Sequence, residues 1–189
     1  MTQLCLLRHG QTDWNVEGRW QGHSDTPLNP TGLDQARQAA EELKSTAFES
    51  LYSSDLQRAR ETAQAIAHFH NLPVKIDARL RELYMGDWEG KLLADVPQLY
   101  PAAWAERQAH PLESRSPGGE SVPELAQRVR QAIDAICKEN SRGPVLIVSH
   151  GLALATVLCL VQGHPLSEAY ERIPRNAHPV FLDYQPPSA

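Results

Sequence analysis

Two short runs of continuous apolar residues stand out along the chain, and they end alike. Leu4-Cys5-Leu6-Leu7 runs into Arg8-His9-Gly10, and Val145-Leu146-Ile147-Val148 runs into Ser149-His150-Gly151. Uninterrupted apolar runs of this length, closed by a glycine turn, predict strands buried on both faces. Between them lie segments of helical periodicity. Thr31 with Asp34 resembles a capping pair that opens a helix to about Lys44, with Ala36, Ala39, Ala40 and Leu43 inward. Leu51-Tyr52-Ser53 is a short strand. Ser54 or Asp55 then caps a helix with Leu56, Ala59, Ala63 and Ile66 on one face, ending near Asn71. Val74-Lys75-Ile76 is a brief strand, Ser121 with Glu124 opens a helix to about Glu139, and the segment after Gly151 is a helix apolar all round. A last strand covers about Val180 to Tyr184. Strands alternating with helices predict an α/β fold: a three-layer α/β/α sandwich with a mostly parallel sheet.

Two stretches break this rhythm. Gln11 to Pro30 is a long polar connection holding Thr12, Trp14, Asn15, Arg19, Trp20, Gln21 and Gly22, and unusually long loops are often functional. Residues 91–121 carry two short amphipathic pieces, around Leu92 to Leu99 and Ala102 to Gln108, then Pro117-Gly118-Gly119-Glu120-Ser121. This segment is expected to be a small helical insertion covering one end of the sheet, like a lid, within a single domain spanning 1–189.

Composition narrows the field. A formal net charge of −5 gives no reason to expect nucleic acid or an anionic membrane as partner, so any anion site must be a local concentration of positive charge. The N-terminus enters a strand without a basic leader, and no apolar run approaches a membrane span; a cytoplasmic location is the expectation. Cys5, Cys137 and Cys159 are scattered and read as small buried apolar residues in a reducing compartment. His68-Phe69-His70 suggests a metal pair at first sight, but alternate residues of a helix do not face one another.

In an α/β sheet, ligands bind at the carboxyl ends of strands. Four sequence positions fall there: Arg8-His9, Arg58 in the first turns of its helix, Glu82 after the Ile76 strand, and His150. Two arginines and two imidazoles supply many N–H donors for one tetrahedral dianion, and the planar guanidinium matches phosphate oxygens. A carboxylate among these cations would repel such a ligand unless it is a protonated acid that gives its proton to a leaving oxygen. The bland alternatives are histidines that cap strands, an Arg58 on a solvated helix face beside Arg60 and Glu61, and a Glu82 in a surface ion pair.

Leu6-Leu7-Arg8-His9-Gly10-Gln11-Thr12-Asp13-Trp14-Asn15 resembles the signature of the histidine phosphatase superfamily, which includes the cofactor-dependent phosphoglycerate mutases. Ser24-Asp25-Thr26-Pro27-Leu28, Gly32 with Gln35-Ala36, Ser53-Ser54-Asp55-Leu56 with Arg58-Ala59, Glu82 with Gly86, Gly118-Gly119-Glu120-Ser121 and Val148-Ser149-His150-Gly151 follow in the family's order. The resemblance implies that His9 becomes phosphohistidine. It implies that Arg8, Arg58 and a protonated His150 hold the phosphoryl group, with Asn15 as a further donor. Glu82 takes the position of the general acid and base, and Gln21 and Gly22 match a substrate-touching loop. No metal or other cofactor is implied, and the expected partner is a small phosphorylated metabolite.

The resembling mutases carry extra basic residues after the Glu82 position, including an adjacent Arg pair, and a C-terminal tail over the site. Here that segment has Lys91, Arg107 and Arg115, scattered, and the sequence closes with Pro186-Pro187-Ser188-Ala189 soon after the last strand. Both features lead us to expect hydrolysis of a phosphomonoester, with mutase activity as the alternative and a non-catalytic phosphate-binding protein as the less favoured one. Short relatives of this kind include α-ribazole, broad-specificity and phosphoserine phosphatases. Trp88, Tyr100 and Trp104 could accept a partly apolar leaving group or could simply pack the insertion onto the body.

Overall fold

A computed structural model describes residues 1–140 and 142–187. Ser188 and Ala189, part of the short tail noted above, lie outside the described residues. In chain order the elements are β1 (Thr2–Arg8), α1 (Asp13–Glu17), α2 (Pro30–Leu43), β2 (Ser50–Ser53), α3 (Gln57–His70), β3 (Val74–Ile76), α4 (Val96–Leu99), α5 (Pro101–Ala109), α6 (Val122–Glu139), β4 (Val145–Ser149), α7 (Gly151–Gln162) and β5 (Pro179–Tyr184). Three 3-10 turns, at Ala78–Leu80, Gly86–Trp88 and Leu166–Arg172, link them.

The strands form one sheet in the order β3-β2-β4-β1-β5. All neighbours are parallel except β5, which runs antiparallel to β1 at the edge. Alternation along β1 and β4 divides the interior. Leu4, Leu6, Val145 and Ile147 face α6 and α7, whereas Cys5, Leu7, Leu146 and Val148 face α2 and α3. This is why the two runs carry no polar interruption: each strand is covered by helices on both sides. The register sets Arg8 of β1 beside Ser149 of β4, so His9 and His150 leave adjacent strand ends. All three cysteines are buried and unpaired, and burial pushes the Cys5 thiol up to about 12.

Several boundaries differ from expectation. The helix expected at Thr31 starts at Pro30, capped by Asn29, whose side chain accepts from the Gly32 N–H at 2.8 Å. Neither Ser54 nor Asp55 caps α3. Its N-cap is Leu56, and Ser54 is drawn into the site described below. The polar connection after β1 contains α1, opened by a reciprocal capping box between Thr12 and Asn15. The box expected from Ser121 and Glu124 opens α6 as anticipated.

Candidate active site

Backbone geometry sets the histidine at the end of β1. Its Nδ1 lies 2.7 Å from the Gly10 carbonyl, and with Nδ1–H as donor the Nε2 lone pair faces away from the backbone. The Gly10 amide donates to Thr62 of α3 at 3.0 Å, and the Asn176 side-chain amide donates to the His9 carbonyl at 2.8 Å. A Cβ at Gly10 would meet the Gly32 carbonyl oxygen at 2.4 Å, so the turn after His9 packs directly on the start of α2. The His9 and His150 rings are 5.2 Å apart between centroids.

Arg58 refutes the solvated-face alternative, because its side chain is completely buried. Its two terminal nitrogens donate to the carbonyls of Ser24 at 2.7 Å and Gly22 at 2.9 Å. Gly22 sits at φ +50°, and a Cβ there would fall 3.0 Å from the Met85 backbone nitrogen. Glycine thus lets the loop turn tightly enough to aim its carbonyl at Arg58. Arg8 donates through Nη1 to the Pro174 carbonyl at 3.1 Å. Burial pulls the Arg58 guanidinium down to about 10 and lowers Arg8 as well, while Glu82 opposes both shifts.

Glu82 does not pair with Arg81, which instead forks onto Asp55 with bonds of 2.7 and 2.5 Å. The Glu82 carboxyl accepts the backbone N–H of Leu83 at 2.8 Å, Leu152 at 3.0 Å and Ala153 at 3.2 Å. Leu152 and Ala153 belong to the first turn of α7, where N–H groups have no partner inside the helix. The helix after Gly151 therefore does two things: its apolar body fills the core, and its N-terminus orients the acid.

Among the described residues, three buried nitrogens around this centre lack any partner: Arg8 Nε, Arg58 Nε and His150 Nδ1. Leaving a buried donor unmade costs about 1–3 kcal/mol each, so a cluster of them marks a place held ready for an acceptor. His150 Nε2 lies 2.9 Å from the Ser54 hydroxyl; with that hydroxyl donating, the imidazole proton sits on the unpartnered Nδ1. The surroundings of His150 oppose the protonated form that the resemblance implies. Burial, Arg58 and His9 hold its pKa well below the ordinary 6.5, and burial, Arg58 and Arg8 do the same to His9. Both influences favour the neutral imidazole.

Arg8, His9, Asn15, Gln21, Gly22, Arg58 and Glu82 share the wall of one cavity of about 370 Å³. Of the expected set only His150 is off the wall, fully buried beside His9. Asn15 spends Oδ1 on the Thr12 backbone N–H, leaving Nδ2 as an available donor. Gln21 Oε1 accepts from Thr26 at 3.0 Å, which braces the loop. The remaining wall is mostly apolar: Trp20, Leu83, Met85, Leu93, Leu152 and Ile173. The expected aromatic trio is not on it. Trp88 is fully buried and stacks on Trp20, Tyr100 and Trp104, so the packing alternative holds. Of the three insertion bases, only Arg107 reaches the cavity.

Sequence reasoning did not single out Thr62, Asn176, the Ile173–Ala177 loop or Tyr170. Each acts across a long chain separation with no local pattern to mark it. The His68 and His70 rings pack on Phe69 and Phe48 respectively.

Adjacent parallel strands thus end in His9 and His150, with buried, unpartnered nitrogens of Arg8, Arg58 and His150 beside them. A family model, the histidine phosphatase superfamily (branch 1), matches residues 4–188. A probable phosphoglycerate mutase GpmB of Proteus mirabilis is 39% identical over 186 residues, covering 98% of this chain and 86% of the relative. A mycobacterial glucosyl-3-phosphoglycerate phosphatase, solved with VO3, is 34% identical and superposes with a TM-score of 0.85 over 97% of this chain and 91% of that one. The α-ribazole phosphatase from Shigella flexneri reaches a TM-score of 0.91 at 28% identity, over 97% and 91% of the two chains. The chain belongs to the histidine phosphatase superfamily and is an enzyme of that superfamily. No helix among the described residues is long and apolar enough to cross a membrane.

Proposed function

We propose that this enzyme hydrolyses a small phosphomonoester through a phosphohistidine at His9, without a metal ion, the whole chain acting as one catalytic domain with residues 91–121 over the leaving-group end. The observation that carries this reading is the pairing of a tautomer-locked His9 with the three unpartnered nitrogens of Arg8, Arg58 and His150. Burial keeps His9 neutral, as a nucleophile must be. Its Nε2 lone pair attacks phosphorus in line, the bond from phosphorus to the leaving oxygen breaks, and Glu82 gives that oxygen a proton. Water then attacks the phosphohistidine, Glu82 takes the water proton, and the phosphorus–nitrogen bond breaks to regenerate His9 and release inorganic phosphate. Arg8 and Arg58 neutralise the equatorial oxygens throughout. The approaching dianion draws a proton onto His150, reversing the influences that lower its pKa.

Similarity to proteins named probable phosphoglycerate mutases favours the alternative of phosphoryl transfer between hydroxyls. Hydrolysis is preferred because a single insertion base, Arg107, stands at the leaving-group end. The test is turnover of p-nitrophenyl phosphate in EDTA by wild type and His9→Ala. We expect turnover that survives EDTA, is inhibited by vanadate, and falls about 10⁴-fold or more in the variant. Absence of turnover by folded wild type, with conversion of 3-phosphoglycerate in the presence of 2,3-bisphosphoglycerate, would overturn hydrolysis in favour of the mutase.

A further inference from the structure

Glu82 lies in a stretch without regular structure. Between the 3-10 turn that ends at Leu80 and the one that begins at Gly86, residues 81–85 belong to no helix or strand. Backbone there has no ladder to hold it, so its polar groups must be met from elsewhere. Arg128 of α6 meets three carbonyls along this part of the chain. Its Nη1 donates to Arg79 at 2.9 Å and Arg81 at 2.7 Å, and its Nη2 donates to the carbonyl of Glu82 itself at 2.6 Å. The other two N–H groups go to the Glu120 carboxylate, Nε to Oε2 at 3.0 Å and Nη2 to Oε1. All five donors of the guanidinium are thus used in one rigid fork. Only 20% of the Arg128 side chain and 17% of the Glu120 side chain are exposed, so this is not a solvated surface pair. Glu120 grips the same stretch: its Oε1 accepts the Tyr84 N–H at 2.8 Å, and its backbone N–H donates to the Tyr84 carbonyl at 3.0 Å. His23 Nε2 adds a second contact to the Glu82 carbonyl at 2.8 Å.

This arrangement accounts for Gly118-Gly119-Glu120-Ser121, a motif to which the phosphohistidine mechanism gives no role. A Cβ at Gly119 would fall 2.6 Å from the Tyr84 carbonyl oxygen, so glycine lets Glu120 come close enough to grip the stretch. Ser121 then opens α6, which carries Arg128 back over it. The Glu82 carboxyl is meanwhile held by the Leu152 and Ala153 N–H groups of α7. Main chain and carboxyl of one residue are fixed by two different helices. We infer that Glu120 and Arg128 are positioning residues for proton transfer: they fix the main chain of Glu82 so that its carboxyl stays on the N-terminus of α7, facing the leaving oxygen. That role rests on the proposed reading of Glu82 as acid and base. In the competing account, the pair only fastens α6 to the body. A fastener would slow every substrate alike or none, whereas a positioning pair matters most where the leaving oxygen most needs a proton.

Benzyl phosphate and p-nitrophenyl phosphate separate these accounts, because the alkoxide of the first depends on protonation and the nitrophenolate of the second scarcely does. Arg128→Met should lower kcat roughly 10-fold on benzyl phosphate and less than about twofold on p-nitrophenyl phosphate, with KM for both nearly unchanged. In a Glu82→Gln background the same substitution should add less than about twofold, since the group it positions is already gone. Equal losses on the two esters, or losses that multiply in the double variant, would overturn the inference. Glu120→Gln keeps an acceptor for Tyr84 but drops the charge, and it carries the same test if Arg128→Met does not fold, with a selective loss of roughly threefold. Amide hydrogen exchange gives a readout independent of turnover. In either variant, exchange at Leu152 and Ala153 should quicken several-fold relative to Leu154, whose N–H donates to the His150 carbonyl instead. An unchanged ratio would also overturn the inference. A quickened ratio in a protein whose wild type fails to hydrolyse p-nitrophenyl phosphate would instead remove the hydrolysis reading and leave Glu120 and Arg128 holding Glu82.

Discussion

The two ends of the cavity are built by opposite means. At the phosphate end, Arg8, His9, Arg58 and His150 are locked by backbone carbonyls, a serine hydroxyl and sheet register, all deep in the fold. At the leaving-group end, Trp20, Leu93, Arg107 and Tyr170 come from a polar loop, an insertion and a 3-10 turn, and are held mainly by ring contacts. The first arrangement fixes partial charges before any ligand arrives, which suits transition-state stabilisation. The second varies with side-chain size and charge without touching the chemistry, which suits selection of a substrate. On the proposed hydrolytic reading, chemistry and specificity would be carried by physically separate parts of one pocket.

If the phosphate end is preorganised in this way, breaking a buried contact there should damage stability and rate together. Arg58→Ala strands the Gly22 and Ser24 carbonyls and should cost about 3 kcal/mol in urea denaturation, with a rate loss of roughly 10²–10³-fold. A variant with normal stability would mean that the loop finds other partners. Glu82→Gln should cost about 10²-fold in kcat for alkyl phosphates but less than tenfold for p-nitrophenyl phosphate, whose leaving oxygen needs little protonation. Equal losses on both would remove Glu82 as the proton donor.

The buried histidines give the comparison a pH dependence. Their native pKa values lie below the ordinary 6.5, so the unfolded chain binds protons that the native state refuses. The stability they allow is present above 6.5 and is lost as pH falls below it, by about 1.4 kcal/mol per pH unit for each histidine. Denaturation midpoints at about pH 7.5 and pH 5.5 check this, and saturating phosphate should flatten the slope because the anion readmits a proton. The smallest effect should come from Arg115→Gln in the insertion. Its ion pair with Glu124 is solvent-exposed, so stability should change by less than about 0.5 kcal/mol in the same denaturation measurement.

How much of this was legible beforehand follows from where each interaction lives along the chain. The two apolar runs, the helical faces and the Ser121 capping box are local patterns, and each produced its element. Arg8, His9, Arg58, Glu82, Asn15, Gln21 and Gly22 were legible through motif resemblance, and the fold gathers all of them on one wall. Asn29 as the cap of α2 is a local signal, three residues from Gly32 and followed by Pro30, that the reading from Thr31 passed over. The diversion of Ser54 from α3 to His150 was missed because a neighbour in space competes with local capping.

By itself, then, the sequence determined the sheet, its burial on both faces and the identity of most groups that share the cavity wall, since periodicity and short motifs are written over a few consecutive residues. Only the tertiary structure decided the protonation of the histidines, because desolvation depends on everything packed around a ring. Only it revealed that Glu82 is held by the first turn of α7 and that Arg107, unlike Lys91 and Arg115, lines the cavity wall. The hydrogen bonds that hold these two side chains span 63 to 71 residues of chain, and no local pattern encodes the distance between groups so far apart.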